Sequence, residues 1–152
     1  MGTSVKDQNE LQGPRTLMEW RLQTFGTMTT IQSHRDLIVW QKAVLLVERI
    51  YALTACFPRS EMSRLGFQTT RAAASVPANI AEGHARSSRR DYAQFLAIAK
   101  GSLMELDTFL VIAQRLGFVD GKAAAPSLEL IEEISKMLTA LRRRLLDVAR
   151  PG

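Results

Sequence analysis

The chain has little of what most catalytic and secreted proteins depend on. A single cysteine, Cys56, rules out an intrachain disulfide and cannot complete a cysteine zinc site. Two histidines, His34 and His84, leave few nitrogen ligands for a metal. Nine glycines and five prolines in 152 residues argue against a turn-rich sandwich or barrel. Aromatic residues make up only 7% of the chain. No apolar run approaches the ~20 residues of a membrane span, which excludes a transmembrane helix. The first residues, MGTSVKDQNE, lack a basic stretch followed by an apolar one, so no secretory signal is read there. The expectation is a cytoplasmic protein with no membrane partner.

What is present is an ordinary globular apolar fraction, 46%, and a formal charge of +5. The length suits one domain. Residues 1–30 carry Lys6, Arg15 and Arg21 against Asp7, Glu10 and Glu19, so all of the excess charge lies downstream. Residues 1–33 hold Gly13-Pro14, Gly26 and a short apolar set without sustained period. They are read as a mostly disordered N-terminal extension, and Met1, Met18 and Met28 are all candidate starts. Residues 34–150 are read as the folded domain.

Within that domain four helical patterns follow one another. The first runs from about Arg35 to Phe57 and stops at Pro58; its stripe is Leu37, Trp40, Val44, Val47, Tyr51 and Thr54, with Ala43, Leu46 and Ile50 beside it. The second runs from about Ser60 to His84, with Leu65, Thr69, Ala72, Val76 and Ile80 as its stripe and Gly83 as its expected terminator. Pro77, well inside, lacks an N–H, so a kink or a restart is expected there. The third opens on Ser88-Arg89-Arg90-Asp91, the pattern of a capping box, and closes at Gly117. It carries a heptad seam (Tyr92, Leu96, Ala99, Leu103, Leu106, Leu110, Ala113) and a second apolar stripe that includes Phe95, Ile98, Phe109, Ile112 and Leu116. Two stripes predict burial on more than one side. The fourth runs from about Ala123 to Ala149 on a seam from Leu128 to Val148. Short turns between long helices predict an all-α, up-down four-helix bundle.

Chemistry is hard to find in this pattern. Glu82-Gly83-His84 is the only acid–histidine neighbourhood, and its spacing is wrong for the Glu-x-x-His of a di-iron bundle. Cys56, between Ala55 and Phe57, reads as a buried inert thiol. No nucleophile elbow or phosphate-cradling glycine loop occurs. The expectation is a protein that is not an enzyme and needs no cofactor or metal. The basic residues offer more. Arg86, Arg89 and Arg90 crowd the start of the third helix, where the helix dipole disfavours cations, and Arg71 lies some turns earlier. Arg142, Arg143 and Arg144 crowd the end of the fourth, where the dipole favours them and Asp147 is a candidate partner for Arg143. Guanidinium groups near hydroxyls suit phosphate oxygens. No aromatic residue interleaves with either cluster, so contact with the nucleic-acid backbone rather than the bases is expected.

Several stretches match a known family in order. They are His34 to Ala43 (HRDLIVWQKA), Cys56 to Arg59 (CFPR), Arg71 to Gly83 (RAAASVPANIAEG), Gly101 to Leu106 (GSLMEL) and Leu116 to Phe118 (LGF). From His34 to about Leu146 the chain resembles the bacterial four-helix-bundle proteins encoded in intervening sequences of 23S ribosomal RNA genes, also called S23 ribosomal proteins. The resemblance implies a ring-like homopentamer. It also implies kinship with the accessory variability proteins of diversity-generating retroelements, which bind nucleic acid and a reverse transcriptase through a basic surface. The implied partners are thus a second copy of the chain, RNA or DNA, and a reverse transcriptase or other protein. Pro77, Asn79, Glu82 and Gly83 form the most specific part of the match. They are read mainly as architecture: Asn79 and Ser75 offer hydrogen bonds at the proline, and Glu82 suits an arginine of the next turn or of a neighbouring subunit. Two departures stand out. Thr70 replaces a second arginine often found before Arg71, and the N-terminal extension is not usual in the family. A protein-binding scaffold without a nucleic-acid role is the alternative.

Overall fold

The computed structural model describes residues 30–147, of which residues 32–147 form one compact unit. Of the expected extension over 1–33, residues 1–29 lie outside the described residues, as do Val148 and Ala149 at the end of the fourth pattern, whereas Gln32 and Ser33 belong to the folded unit. Four α-helices carry the fold: α1, Ile38–Thr54; α2, Phe67–His84; α3, Arg89–Arg115; and α4, Gly121–Asp147. Among the described residues there is no strand, and no helix is long and apolar enough to cross a membrane. Each helix packs on its neighbours in sequence, and α1 also packs on α4, so the four close into an antiparallel up-down bundle.

The chain enters the bundle through a 3-10 turn, His34–Asp36, held by a full capping box. Ser33 Oγ accepts from the Arg35 N–H at 3.2 Å, while Asp36 Oδ2 accepts from the N–H groups of Gln32 and Ser33, both at 2.9 Å. The expected first helix therefore starts three residues late. Its inward row is Val39, Ala43, Leu46, Ile50 and Leu53, which includes the three residues expected beside the stripe; of the stripe itself Leu37 and Thr54 are buried, while Trp40, Val44 and Val47 are half-buried. The two rows lie one residue apart on the helix, and that offset leaves Tyr51 57% exposed.

After Pro58 a 3-10 turn (Arg59–Glu61) and a π turn (Met62–Gly66) lead into α2. The helix then runs unbroken through Pro77, with no restart. Thr69, Ala72, Val76 and Ile80 are buried as the sequence pattern requires. Gly83 does not terminate the helix: His84 does, and Gly117 is the only described glycine with positive φ. Gly83 serves packing instead. A Cβ there would stand 2.8 Å from Phe95 Cβ and 2.9 Å from Tyr92 Cδ2, so only hydrogen allows α2 to lie this close to α3. Burial against this contact pushes the Tyr92 hydroxyl pKa up.

In α3, Ser88 Oγ accepts the Asp91 N–H at 3.0 Å, which is half of the expected box. The helix ends in a Schellman motif: Gly117 adopts φ 74°, its N–H reaches Gln114 O at 3.0 Å, and the Phe118 N–H reaches Ala113 O at 2.9 Å. The heptad seam from Leu96 to Ala113 is fully buried. The second stripe is not. Phe95 and Phe109 are half-buried, while Ile98, Ile112 and Leu116 are 44%, 38% and 59% exposed, so within one chain α3 is covered on a single side. Cys56, expected to be buried, is exposed. The core of α4 is Ala124, Leu130, Ile131, Ile134 and Leu138. The bundle closes through Lys42 Nζ to Glu133 Oε1 at 2.6 Å and Arg49 Nη1 to Pro126 O at 3.2 Å.

Two glycines predict opposite outcomes. Gly83→Ala inserts a methyl against Phe95 and Tyr92 and is expected to cost about 1–3 kcal/mol. Gly101, in the middle of α3 and exposed, has nothing within 4 Å of an added Cβ, so Gly101→Ala is expected to gain about 0.5–1 kcal/mol. Denaturant unfolding of the two variants beside the parent measures both signs. Equal effects would exclude close α2–α3 packing as the role of Gly83.

The capping box predicts a pH dependence. The two N–H groups bind the carboxylate form of Asp36 and hold its pKa below the ordinary 3.8, so the folded value lies under the unfolded one. The stabilisation is complete above the unfolded value and is lost as pH falls through the folded one. Asp36→Asn is expected to melt below the parent at neutral pH, with the difference closing in acid. A gap that persists unchanged at pH 3 would show that the charge is not involved.

Candidate nucleic-acid interface

The antiparallel packing of α3 and α4 places the start of one beside the end of the other. Arg142 Nε donates to Ala93 O at 3.3 Å, from the last turns of α4 to the first turn of α3. Arg89 and Arg90 therefore share one end of the bundle with Arg142, Arg143 and Arg144, although more than fifty residues separate them in sequence. All five are exposed, and no described carboxylate lies within ion-pair distance of them. The suggested pairing of Arg143 with Asp147 does not form.

Arg86 stands at the same end in a different state. It bonds Glu82 Oε1 at 2.7 Å, and its guanidinium carbon lies 4.5 Å from the centre of the Phe95 ring. Glu82 thus takes its partner from the next turn of its own chain. An aromatic ring does accompany this cluster, contrary to the sequence reading, because Phe95 on α3 faces the end of α2. The ring is occupied by Arg86 and is not a free stacking platform. Arg71 is not brought to this end. It is exposed on α2 thirteen residues before His84, about 20 Å away along the helix.

The residues around Pro77 build a polar link between helices. Asn79 Nδ2 donates to Ser75 O at 2.8 Å and to Ser75 Oγ at 3.0 Å, and Ser75 Oγ lies 2.9 Å from Ser102 Oγ on α3. The cluster is half-buried and its polar groups are satisfied among themselves.

Below the arginine end, two adjoining depressions of about 520 and about 420 Å³ run along the α3–α4 seam. Lys100, Thr139 and Arg143 line both. Lys100 Nζ donates to Thr139 Oγ1 at 2.7 Å, a neutral partner that leaves its charge uncompensated. Lys100 and Thr139 escaped the sequence reading because no local pattern links residues 39 apart on two helices. Among the described residues no three His, Cys, Asp or Glu side chains come together as a metal site.

An antiparallel helical bundle with one arginine-rich end is the class of protein that these features define. The model of the 23S rRNA-intervening sequence protein family matches residues 35–140, and the chain belongs to that family. Among solved structures it is similar to a protein of unknown function from the S23 ribosomal protein family of Bacteroides thetaiotaomicron. The TM-score is 0.63 at 23% identity, over 69% of this chain and 98% of that one. At that identity the likeness concerns the fold. No curated protein matches the chain.

Proposed function

We propose that this is a non-enzymatic, oligomeric accessory protein of the cytoplasm that binds the backbone of RNA or DNA through its arginine-rich end. One observation carries the reading: the fold gathers Arg89, Arg90, Arg142, Arg143 and Arg144 at one end without a carboxylate partner among the described residues. Unpaired guanidinium groups are suited to phosphate oxygens, and such pairing makes affinity fall steeply with salt. Arg86 contributes less, being held by Glu82 and Phe95. Arg71 acts separately if at all, given its distance. Binding is measured by anisotropy of labelled single-stranded and duplex oligonucleotides across a salt series. The expected plot of log affinity against log salt is linear and steep, and replacing Arg89 and Arg143 by Gln flattens it by roughly 0.7–0.9 for each arginine replaced. No binding at low salt would leave the protein-binding scaffold, with a reverse transcriptase or another protein as its partner, as the reading to pursue.

Assembly is the second part of the proposal. Ile98, Ile112 and Leu116 on α3, with Tyr51 and Phe67, leave large apolar side chains in water. Covering them between copies of the chain removes that exposure, and a closed ring leaves no free sticky edge. The number five comes from the family resemblance. Light scattering at micromolar concentration is expected to give a multiple of 17.0 kDa, near fivefold. A mass of one chain would exclude assembly through α3.

A further inference from the structure

We propose that the groove between α3 and α4 is a phosphate subsite that seats one nucleotide unit, with its phosphate on Lys100 and Arg143 and its sugar over Gly101. The proposal rests on the backbone-binding reading above and names where, in a groove that shares Arg142 and Arg143 with the arginine end, a phosphate sits.

Charge pairing supplies the first argument. Of the cations along the groove, Lys136, which lines the smaller depression, is paired with Glu132 at 2.7 Å. The cations of the larger depression have no such partner among the described carboxylates. Among the described residues, Lys100 is half-buried and bonded only to the Thr139 hydroxyl, Arg142 spends Nε on a backbone carbonyl, and Arg143 has no ion pair. Three cations with uncompensated charge converge on one depression, and the one carboxylate beside it, Asp147, bridges none of them. Gathering like charges around a concave surface costs energy that a bound anion would offset.

Gly101 supplies the second argument, independent of charge. A mid-helix glycine costs helix stability relative to alanine. Gly83 shows such a cost offset by close helix packing; Gly101 shows no offset, since an added Cβ would meet nothing within 4 Å. What the missing side chain does is leave the groove floor open between Ala97 and Met104. The depression, about 520 Å³, falls in the range of small-ligand sites and is of a size for one nucleotide. The apolar surface of Met104 and Leu146 suits a sugar or base face, and the cations at the rim suit the phosphate.

The test uses the full chain, a labelled twelve-residue oligothymidylate, and AMP as the free-nucleotide probe. Gly101→Leu fills the floor without removing charge; Lys100→Gln removes charge without filling the floor. Each is expected to weaken oligonucleotide binding about tenfold while leaving the melting temperature at or above that of the parent, and Lys100→Gln is expected to lower the salt slope by roughly 0.7. A methyl-labelled Met104, assigned through Met104→Leu, is expected to shift on adding the oligonucleotide. Saturation of the same shift by AMP assigns the subsite to free nucleotides; a shift with the oligonucleotide alone assigns it to a strand. If both variants bind like the parent, the groove proposal is overturned while the arginine-end reading stands. If the parent binds no oligonucleotide at low salt but AMP shifts Met104, the arginine-end reading fails and the groove stands. Neither binding nor a Met104 shift overturns both.

Discussion

The close approach of α2 to α3 at Gly83 sets the geometry of this bundle. With hydrogen as its side chain, the last turn of α2 rests directly on Tyr92 and Phe95. Two consequences follow from that one approach. The chain reverses within Ala85–Ser88, so the cationic start of α3 is fixed beside the end of α2, and Arg86 is held between Glu82 and the Phe95 ring. Further along, the same pair of helices is registered by the hydroxyls of Ser75 and Ser102, with Asn79 completing the link. A half-buried polar link of this kind adds little net stability, but it penalises every sliding of one helix along the other that would leave its groups unpaired.

Much of this architecture was legible because helices announce themselves through period and punctuation. Pro58, Ser88 and Gly117 stand where the chain turns, and the α3 seam is buried residue for residue from Leu96 to Ala113. The failures have physical causes. In α1 two apolar rows lie one residue apart, and periodicity cannot say which of them faces the other helices. Gly83 looked like a terminator because the usual reason for a glycine at a helix end is positive φ, whereas here it is the nearness of another helix. Cys56 has apolar neighbours in sequence but water in space.

The candidate site was legible only as two separate clusters. The sequence shows arginines at 86–90 and at 142–144 but carries no signal that they meet, because their meeting is a property of antiparallel packing. It ranks them by helix dipole alone, while the structure divides them differently: Arg86 is engaged, Arg71 is remote, and the remaining five face solvent together. Lys100 was invisible as a participant, since it becomes one only through Thr139 on another helix.

The electrostatics of that end are set by helix direction as much as by side chains. At the end of α4 the backbone carbonyls carry partial negative charge and favour Arg142, Arg143 and Arg144; at the start of α3 the backbone N–H groups carry partial positive charge and oppose Arg89 and Arg90. Antiparallel packing sets the two termini side by side, so the negative end of α4 partly offsets the positive end of α3. The backbone therefore tolerates the cluster without neutralising it. Full arginine charges outnumber the half charge of one helix terminus, and the surplus is left to solvent ions or to an anionic ligand. Any polyanion that binds this end of the folded chain and not the unfolded one adds to stability by mass action, and the same salt that weakens its binding removes that gain. In this bundle, the feature that makes the end poorly balanced in isolation is the one on which the proposed phosphate binding rests.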